Sequence, residues 1–330
     1  MVEVGKNSVI RPVITENEHG QRLDNLLLKL CKGVPKSHVY SIVRSGQVRV
    51  NGRRADVSYR LQAGDVLRIP PLRVASVEQE MVAGAGLQVH VPIVYEDEGL
   101  LVVDKPAGIA VHGGSGESYG LVEALRRQRP EARFLELAHR LDRETSGILL
   151  LGKKRSVLLA LHQMFREGGL AGSGRSADKR YLVLVCGRWM EPLRSVRLPL
   201  LKYLLASGER RVRVADEGKA AHTVFRLLAR WQRFSLLEAE LKTGRTHQIR
   251  VHLAHLGYPI AGDEKYGDFG LNRALAKEGL KRMFLHASRM RLPHPLEGRE
   301  LVVEAAMPAA LKAFVDGLSA KEKQDYGKTV

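Results

Sequence analysis

A charged segment in the middle of the chain runs directly into a short apolar segment. The charged part, His139-Arg140-Leu141-Asp142-Arg143-Glu144-Thr145-Ser146-Gly147, is followed at once by Ile148-Leu149-Leu150-Leu151. The apolar run predicts a buried strand, and Asp142 then lies in the loop at its mouth. The two neighbouring guanidinium groups favour a charged carboxylate, which a nucleophile or a base needs. A purely structural Asp–Arg pair is the alternative interpretation, because ion-pair networks also surround carboxylates.

Length and composition indicate a two-domain protein that binds a polyanion. The chain has 330 residues, 44% of them apolar, a formal net charge of +17 and a sequence pI near 10.0. Domains usually have ~100–200 residues, so the length predicts two, and the apolar fraction suffices for real cores. A field of this sign concentrates polyanions, so nucleic acid is the first partner to expect. A charge that serves solubility and an acidic protein partner are the alternatives.

The two cysteines and the N-terminal sequence indicate an intracellular protein. Cys31 and Cys186 are far apart, lie in apolar patterns and form no CxxC pair. We therefore expect reduced core thiols and a cytoplasmic location. Residues 1–11 contain no apolar signal segment, and no run of ~18 apolar residues occurs, so neither secretion nor membrane spanning is expected.

The N-terminal part of the chain predicts an arm followed by a small domain. Residues 1–20 are polar and are expected to form a flexible arm. Residues 21–75 then predict a helix, a second helix and a hairpin. The first helix has an apolar face formed by Leu23, Leu26, Leu27 and Leu30. Ser37 can cap the second helix, Gly46 can end it, and Asn51-Gly52 is a strong hairpin turn signal.

This small domain is strongly basic. Between Arg22 and Arg73 it contains eight Arg and three Lys against three Asp. Its sequence resembles the S4 RNA-binding domain in the segments Arg22-Leu23-Asp24, Pro35-Lys36-Ser37, 42–52 (IVRSGQVRVNG) and 61–65 (LQAGD). The resemblance implies that cations contact RNA phosphates, which gives salt-sensitive affinity without sequence choice. The candidates are Lys36, Arg44 and Arg49; a solvated charged face is the alternative.

The rest of the chain predicts a linker, a large domain and a tail. We expect a linker at residues 76–90, the large domain at 91–318 and a polar tail at 319–330. The patterns predict strands at 100–103, 148–151, 181–185, 212–214 and 235–241, and helices at 121–127, 157–166, 248–255 and 308–316. Because regular βαβ alternation is missing, an α+β fold with a mostly antiparallel sheet is favoured. Small residues at 168–178 predict a mobile loop.

Two motifs in the large domain fail as cofactor or metal sites. Residues 147–153 match GxxxxGK, but Lys154 stands where Ser or Thr is needed, and large apolar residues fill the interior. A phosphate-binding nest needs a loop at that point and not a strand. The offsets among His247, His252 and His255 do not reproduce HExxH, and the last two are expected to face solvent or RNA on a helix. We therefore expect neither a cofactor nor a metal.

Five segments of the large domain together resemble the RluA-type pseudouridine synthases. They are residues 139–153 (HRLDRETSGILLLGK), 179–187 (KRYLVLVCG), 243–253 (TGRTHQIRVHL), 257–267 (GYPIAGDEKYG) and 285–295 (LHASRMRLPHP). With the S4-like domain in front, the resemblance covers about residues 20–315. Details at 30–37, 69–74, 111–116 and 129–137 are similar to family members that act on the large ribosomal subunit. The resemblance implies site-specific isomerisation of uridine to pseudouridine in 23S ribosomal RNA.

The resemblance also implies a role for each candidate residue. Asp142 would act on a flipped-out uridine, either by attacking C1′ or by removing the C2′ proton to give a glycal. Arg245 would keep Asp142 charged through a bidentate pair, and Tyr181 would stack on the uracil and take part in the final proton removal. Ile249 would pack beside the carboxylate. Arg140 would enter the RNA stack, because a stacked base must leave the helix before it reacts.

The partner implied is 23S ribosomal RNA, either free or within a pre-ribosomal particle. We expect a monomeric enzyme that needs no cofactor, metal or membrane. A non-catalytic RNA-binding assembly factor is the main alternative, since it would share the basic charge and the S4-like domain. A nucleotide-dependent RNA ligase would require a credible triphosphate loop.

Overall fold

The architecture is defined for most of the chain. The computed structural model describes residues 8–31, 34, 36–72, 90–113, 120–167 and 177–327. The linker predicted at 76–90 lies outside the described residues except for His90, and the loop predicted at 168–178 lies outside them except for its last two residues. Both stay predictions.

The N-terminal unit contains two helices and a small hairpin. Its elements are α1 (Leu23–Leu30), α2 (Lys36–Arg44), β1 (Arg49–Val50) and β2 (Leu67–Arg68). The two strands pair antiparallel. Asn51 and Gly52, with φ angles of 51° and 77°, form a tight hairpin turn that joins Val50 to Arg53 through two backbone hydrogen bonds. Leu23, Leu27 and Ile69 are fully buried in one core, so the predicted order of helix, helix and hairpin is confirmed.

The described part of the first twenty residues packs onto this unit. Ile10 and Ile69 exchange two backbone hydrogen bonds, and the Ile14 N–H donates to the Asp65 carbonyl at 2.8 Å. The Ile14 side chain is buried in the core of the N-terminal unit. The prediction of a flexible arm is therefore wrong for residues 10–14. Apolar side chains bury there while the backbone covers an otherwise free sheet edge.

A mixed sheet forms the centre of the large domain. Its described strands are β3 (Ile93–Glu96), β4 (Leu100–Lys105), β5 (Glu136–Leu137), β6 (Ser146–Gly152), β7 (Asp178–Cys186), β8 (Leu193–Arg197), β11 (His222–Arg230), β12 (Phe234–Leu241), β13 (Leu285–Pro293) and β14 (Glu300–Glu304). The order is β3-β4-β6-β13-β7-β12-β11-β8, with β5 beside β6 and β14 beside β13. The β6–β13 pair is parallel, and the other described ladders are antiparallel. The predicted α+β fold with a mostly antiparallel sheet is confirmed.

A separate hairpin and five described helices complete the domain. The hairpin consists of β9 (Leu200–Leu204) and β10 (Arg210–Val214), and the helices are α3 (Leu121–Gln128), α4 (Arg155–Glu167), α5 (Gln248–His255), α6 (Phe269–Lys277) and α7 (Ala309–Gly327). Helix α5 has the predicted bounds. Helix α7 continues through Gly317, so the predicted end of this helix at 316 is wrong. The polar tail at 319–330 stays a prediction. A glycine inside a helix costs only about 1 kcal/mol, and the Lys, Glu and Gln residues that follow favour helix.

Strand β6 fixes the position of the loop that carries Asp142. All seven residues of β6 are buried, and Ile148 to Leu151 have no exposed surface. Strands β4 and β13 flank it on its two sides. The prediction that Asp142 precedes a buried strand is therefore confirmed.

Candidate active site

A cavity of about 530 Å³ opens where the loop before β6 meets β7 and the start of α5. Its lining includes five of the residues predicted from sequence: Arg140, Asp142, Tyr181, Arg245 and Ile249. Other lining side chains come from α4 and from the segment 241–248. Apolar walls with cations at the rim suit a flat ligand that carries negative charge.

A buried lysine, Lys105, stabilises the loop that carries Asp142 through hydrogen bonds to backbone carbonyls. The Lys105 Nζ donates to the carbonyl oxygens of Pro106, Ile109 and Arg143, at 2.8, 2.8 and 3.0 Å. Burial lowers the pKa of Lys105 to about 8. The side chain of Asp142 keeps 21% of its surface exposed. The backbone beside Asp142 is therefore fixed, while its carboxylate can still be reached from the cavity.

The cation that contacts Asp142 is Arg250. Its Nη1 donates to Asp142 Oδ2 at 2.9 Å. Arg245 is exposed at the cavity rim, where its Nε donates to the carbonyl of Ala220 at 3.1 Å. The predicted bidentate pair of Arg245 with Asp142 is therefore wrong. Arg250 is the third residue of α5 and is buried, whereas Arg245 lies in the exposed turn before the helix.

Arg250 is held in turn by a second carboxylate with no exposed side-chain surface. Its Nε and Nη2 donate to the two oxygens of Asp263, each at 2.8 Å. The backbone N–H groups of Lys265 and Tyr266 also donate to Asp263. Burial opposes charge on both partners, but these hydrogen bonds outweigh it, so the pKa of Asp263 is lowered and that of Arg250 is raised. Asp142 thus faces a permanent cation.

Tyr181 and Ile249 form apolar walls of the same cavity. Tyr181, on β7, is buried, and this burial, together with the charge of Asp142, raises the pKa of Tyr181 well above its usual value. The phenol therefore stays protonated at neutral pH. Ile249, on α5, is also buried. Each side chain offers the cavity a surface on which a flat ring can pack.

Sequence reasoning did not assign His247 and Tyr266 to this site. The Tyr266 hydroxyl lies 2.8 Å from His247 Nδ1, and His247 Nε2 lies 3.7 Å from Asp142 Oδ2. Burial lowers the pKa of His247, with Asp142 acting in the opposite direction. Both residues lie within segments that carry the family resemblance, which could have marked them as candidates. No local sequence pattern, however, predicts a contact between residues 247 and 266.

The histidines once considered as metal ligands do not form a cluster. His252 is fully buried and contacts the Thr223 hydroxyl and the Leu198 carbonyl. The expectation that His252 faces solvent or RNA is therefore wrong. Within the described ranges, no group of three or more His, Cys, Asp or Glu side chains is placed to hold a metal ion.

Lys179 is a further cavity residue that sequence reasoning did not assign. It lies two residues before Tyr181 on β7, and its Nζ stands 4.9 Å from the centre of the Phe165 ring. Burial lowers the pKa of Lys179 to about 8. Among the described contacts no carboxylate pairs with it. A cation held against an aromatic ring in this way is available for an anionic ligand.

Three of the four cations predicted to contact RNA are exposed. Arg140 is exposed at the cavity rim, and Arg44 and Arg49 are exposed on the N-terminal unit. The side chain of Lys36 lies outside the described part of the chain. Exposure is compatible with phosphate binding, and the four assignments stay predictions.

Comparison with known proteins defines the class. A family model described as RNA pseudouridylate synthase matches residues 99–255, and the S4 domain model matches residues 21–67. A relative from Escherichia coli K12 is 51% identical over 92% of this chain and 95% of its own length. The chain therefore belongs to the RNA pseudouridine synthase family, as a member with an N-terminal S4 domain.

The relatives share one name. The E. coli protein is ribosomal large subunit pseudouridine synthase C. Proteins of that name from Pasteurella multocida and Haemophilus influenzae are 49% and 48% identical, over 92% and 94% of this chain and 92% and 96% of their own lengths. No helix in the described part of the chain combines the length and the apolar character needed to cross a membrane.

Two solved structures share the fold over about three quarters of the chain. Human RNA pseudouridylate synthase domain containing 4 has a TM-score of 0.55 and 24% identity, over 73% of this chain and 97% of its own. Human RNA pseudouridylate synthase domain containing 1 has a TM-score of 0.53 and 23% identity, over 76% of this chain and 98% of its own. At such identities the likeness concerns the fold alone.

Proposed function

We propose that this enzyme converts specific uridines of 23S ribosomal RNA to pseudouridine, with Asp142 as the reacting carboxylate. The names of relatives that are about half identical to the chain support a substrate in the large ribosomal subunit. The observation that carries the mechanism is the position of Asp142. It is partly exposed in a cavity of nucleotide size and is paired with the permanently charged Arg250.

The chemistry makes modest demands on the protein. The C1′–N1 bond breaks, the uracil turns, C1′ bonds to C5, and the proton on C5 leaves while N1 gains one. The product is an isomer of the substrate, so no electrons and no atoms are supplied from outside. Asp142 can begin either by attacking C1′ or by removing the C2′ proton to give a glycal. Both routes need the carboxylate as an anion and regenerate it at the end.

The neighbours of Asp142 have separate tasks in this proposal. Arg250 keeps the carboxylate charged through a hydrogen bond that is already formed before substrate arrives. Tyr181 supplies a ring on which the uracil stacks. The phenol of Tyr181 is protonated, so its oxygen can accept the C5 proton only if it releases its own proton at the same time. The nearby carboxylate of Asp142 would accept that released proton.

The basic surfaces would bring the RNA to this cavity. Exposing one base from a stacked helix costs a few kcal/mol, which contacts to the surrounding backbone must offset. Arg140 and Arg245 at the rim would contribute to these contacts, and Lys179 would bind an anionic group inside the cavity. The candidate cations of the N-terminal unit, Arg44 and Arg49, would add affinity that does not depend on sequence.

The proposal is tested by tritium release from 23S RNA that contains 5-tritiated uridine. Asp142→Asn and Asp142→Ala should abolish release while filter binding of the same RNA persists. Glu144→Gln is the matched control, because this exposed carboxylate lies two residues away and outside the cavity lining. Turnover like that of the wild type in either Asp142 variant would contradict the proposal.

A further inference from the structure

His247 occupies an unusual backbone position beside the reacting carboxylate. It is the residue before α5, with φ of 54° in the left-handed region, which asparagine or glycine adopts more readily. The ring stands between two groups. Its Nδ1 is 2.8 Å from the Tyr266 hydroxyl, and its Nε2 is 3.7 Å from Asp142 Oδ2. The ring therefore connects the loop at 263–266 to the carboxylate.

The hydrogen bonds of Tyr266 favour one of the two neutral tautomers of His247. The backbone N–H of Val212 donates to the Tyr266 hydroxyl oxygen at 3.1 Å. Within the described contacts, His247 Nδ1 is the only acceptor for the phenol's own hydrogen. A hydroxyl that already accepts from Val212 can then donate its own hydrogen to Nδ1. A neutral imidazole that accepts at Nδ1 carries its hydrogen on Nε2, and Nε2 faces Asp142.

The surroundings favour the neutral ring. The charged or titratable groups that act on it are Asp142, Arg250, Asp263, Lys265 and Tyr266. The ring is largely buried, which disfavours its charged form, and Arg250 and Lys265 repel a further positive charge. These effects together outweigh the attraction that Asp142 and Asp263 exert on a charged ring. The pKa of His247 is accordingly lowered. A neutral ring with a single N–H donor is the state that the contacts support.

The two contacts to Asp142 fall on the same oxygen. Arg250 Nη1 and His247 Nε2 both approach Oδ2, whereas Oδ1 has no hydrogen-bond partner among the described residues. The separation of 3.7 Å to His247 exceeds a hydrogen bond, but contacts of this kind often shorten when substrate binds. Oδ2 is thus the anchored oxygen and Oδ1 is free to meet the sugar.

We propose that His247 is a positioning residue that donates Nε2–H to Asp142 Oδ2 in the substrate complex, and that Tyr266 selects the tautomer in which it can do so. The inference rests on the proposed function, because it assigns Oδ1 of Asp142 as the reacting atom. It adds a dependence on the β9–β10 hairpin, since Val212 orients the Tyr266 hydroxyl. That hairpin is docked on the same loop, where Lys265 Nζ donates to the Arg210 carbonyl at 2.7 Å.

The first test observes the ring directly. Long-range proton–nitrogen NMR spectra of the full-length protein labelled with ¹⁵N-histidine distinguish the two neutral tautomers and the charged ring, and His247→Gln assigns the signal by its loss. We expect the neutral Nε2–H tautomer in the wild type at pH 7, and a mixture with Nδ1–H in Tyr266→Phe. A wild-type ring that is charged, or protonated at Nδ1, overturns the proposal, and this result needs no active variant.

The second test measures pseudouridine formation in a single turnover with saturating enzyme. His247→Phe keeps the ring shape without nitrogen and should slow the reaction by up to about 100-fold, because a small misplacement of a reacting group has effects of this size. His247→Gln restores an N–H near the Nε2 position and should recover part of the rate. Tyr266→Phe should fall between them. The dissociation constant for RNA should remain within about 2-fold of the wild-type value in all three.

Controls separate this inference from the proposed function. His255→Phe changes an exposed histidine at the end of α5 and should leave the rate unchanged. If Asp142→Asn is inactive while folded His247→Phe and Tyr266→Phe react at the wild-type rate, the positioning role is refuted and the proposed function stands. If Asp142→Asn is active, the proposed function fails and the assignment of Oδ1 fails with it.

Discussion

Arg250 and Asp263 form a buried ion pair joined by two hydrogen bonds of 2.8 Å. The pair occupies Nε and Nη2 of the guanidinium, so Nη1 remains for Asp142 at 2.9 Å. The cation beside the carboxylate of Asp142 is therefore held in place before any RNA binds. Such preorganisation makes an electrostatic contact effective, because no reorganisation is needed during the reaction.

Removing the guanidinium should damage both stability and activity. Arg250→Ala leaves the carboxylate of Asp263 buried without its cation, which should lower the free energy of unfolding by about 3–5 kcal/mol. Arg245→Ala changes an exposed side chain and should stay within about 0.5 kcal/mol of the wild type. Urea denaturation of the three proteins measures this difference. Equal loss of stability in both variants would mean that the buried Arg250–Asp263 pair stabilises the fold no more than an exposed arginine does.

Arg250→Lys separates charge from geometry. A lysine retains the positive charge, but its three donors radiate from one atom and cannot reproduce the planar fork that reaches both Asp263 and Asp142. We expect a single-turnover rate at least about 10-fold below wild type, from the loss of a charge-assisted hydrogen bond worth about 1.5–3 kcal/mol. A wild-type rate would show that charge alone suffices near Asp142.

Tyr181→Phe isolates the hydroxyl of the residue that we propose stacks on the uracil. The ring remains, so RNA affinity should change by less than about 2-fold, since stacking energy resides in the ring. Release of tritium from C5 should slow strongly if the hydroxyl takes part in that step. Tyr181→Leu, which removes the ring, should weaken RNA binding as well. Filter binding and tritium release on the same samples distinguish the two losses, and full activity in Tyr181→Phe would exclude the hydroxyl from the chemistry.

Lys179 should make stability depend on pH above neutrality. Burial lowers the pKa of Lys179 from 10.5 to about 8, so between these values the unfolded chain binds more protons than the folded one. Stability contributed by this group therefore rises with pH across that window, and below pH 8 the folded state carries the cost of a buried charge. Lys179→Met should remove this rise and stabilise the protein at pH 7 by on the order of 2 kcal/mol.

Thermal or urea unfolding of wild type and Lys179→Met at pH 7, 8 and 9.5 measures the difference. Burial also lowers the pKa of Lys105 to about 8, so Lys105 adds a similar pH dependence of stability to both proteins. That contribution cancels when the two proteins are compared. The same substitution should weaken RNA binding, because it removes a cation from the cavity. A variant that binds RNA as tightly as the wild type would show that Lys179 does not contact the substrate.

Gly147 should tolerate no side chain. Its φ is 109°, and a Cβ there would overlap the carbonyl of Ala287 on β13, where the sheet has its parallel pair. Gly147→Ala should lower the free energy of unfolding by more than about 3 kcal/mol, from backbone strain and overpacking together. Gly279→Ala, at φ of 103° with open space around it, should cost only about 1–2 kcal/mol. Similar losses at the two sites would show that the β13 contact is unimportant.

The salt dependence of RNA binding tests the N-terminal unit. Lys36→Ala and Arg44→Ala should each flatten the slope of log K against log salt concentration by about one unit if each side chain contacts one phosphate. Lys312→Ala is the control, because this lysine pairs with Asp316 on α7. Unchanged slopes for both N-terminal variants would place their surface away from the RNA.

Local patterns predicted those elements whose signal is contained in their own residues. Strand β6 contains the apolar run 148–151, and a Thr-Gly turn precedes α5, so both were located from sequence. Strands β11 and β13 were missed, because charged and polar residues interrupt their apolar pattern. Those strands are defined by their pairing with β12 and β7, which a single segment does not reveal. The edge position of residues 10–14 likewise depends on a partner more than fifty residues away.

The sequence by itself determined the class of enzyme, the S4-like domain, and the candidacy of Asp142, Tyr181 and Ile249, because these depend on ordered motifs. Only the tertiary structure decided which arginine serves the carboxylate. Arg245 and Arg250 are five residues apart in one motif, and the start of α5 turns only the second towards Asp142. The structure also joined Asp263 and Tyr266 to the site. Side chains so distant along the chain meet only when long-range packing places their backbones together, and no local pattern encodes that meeting.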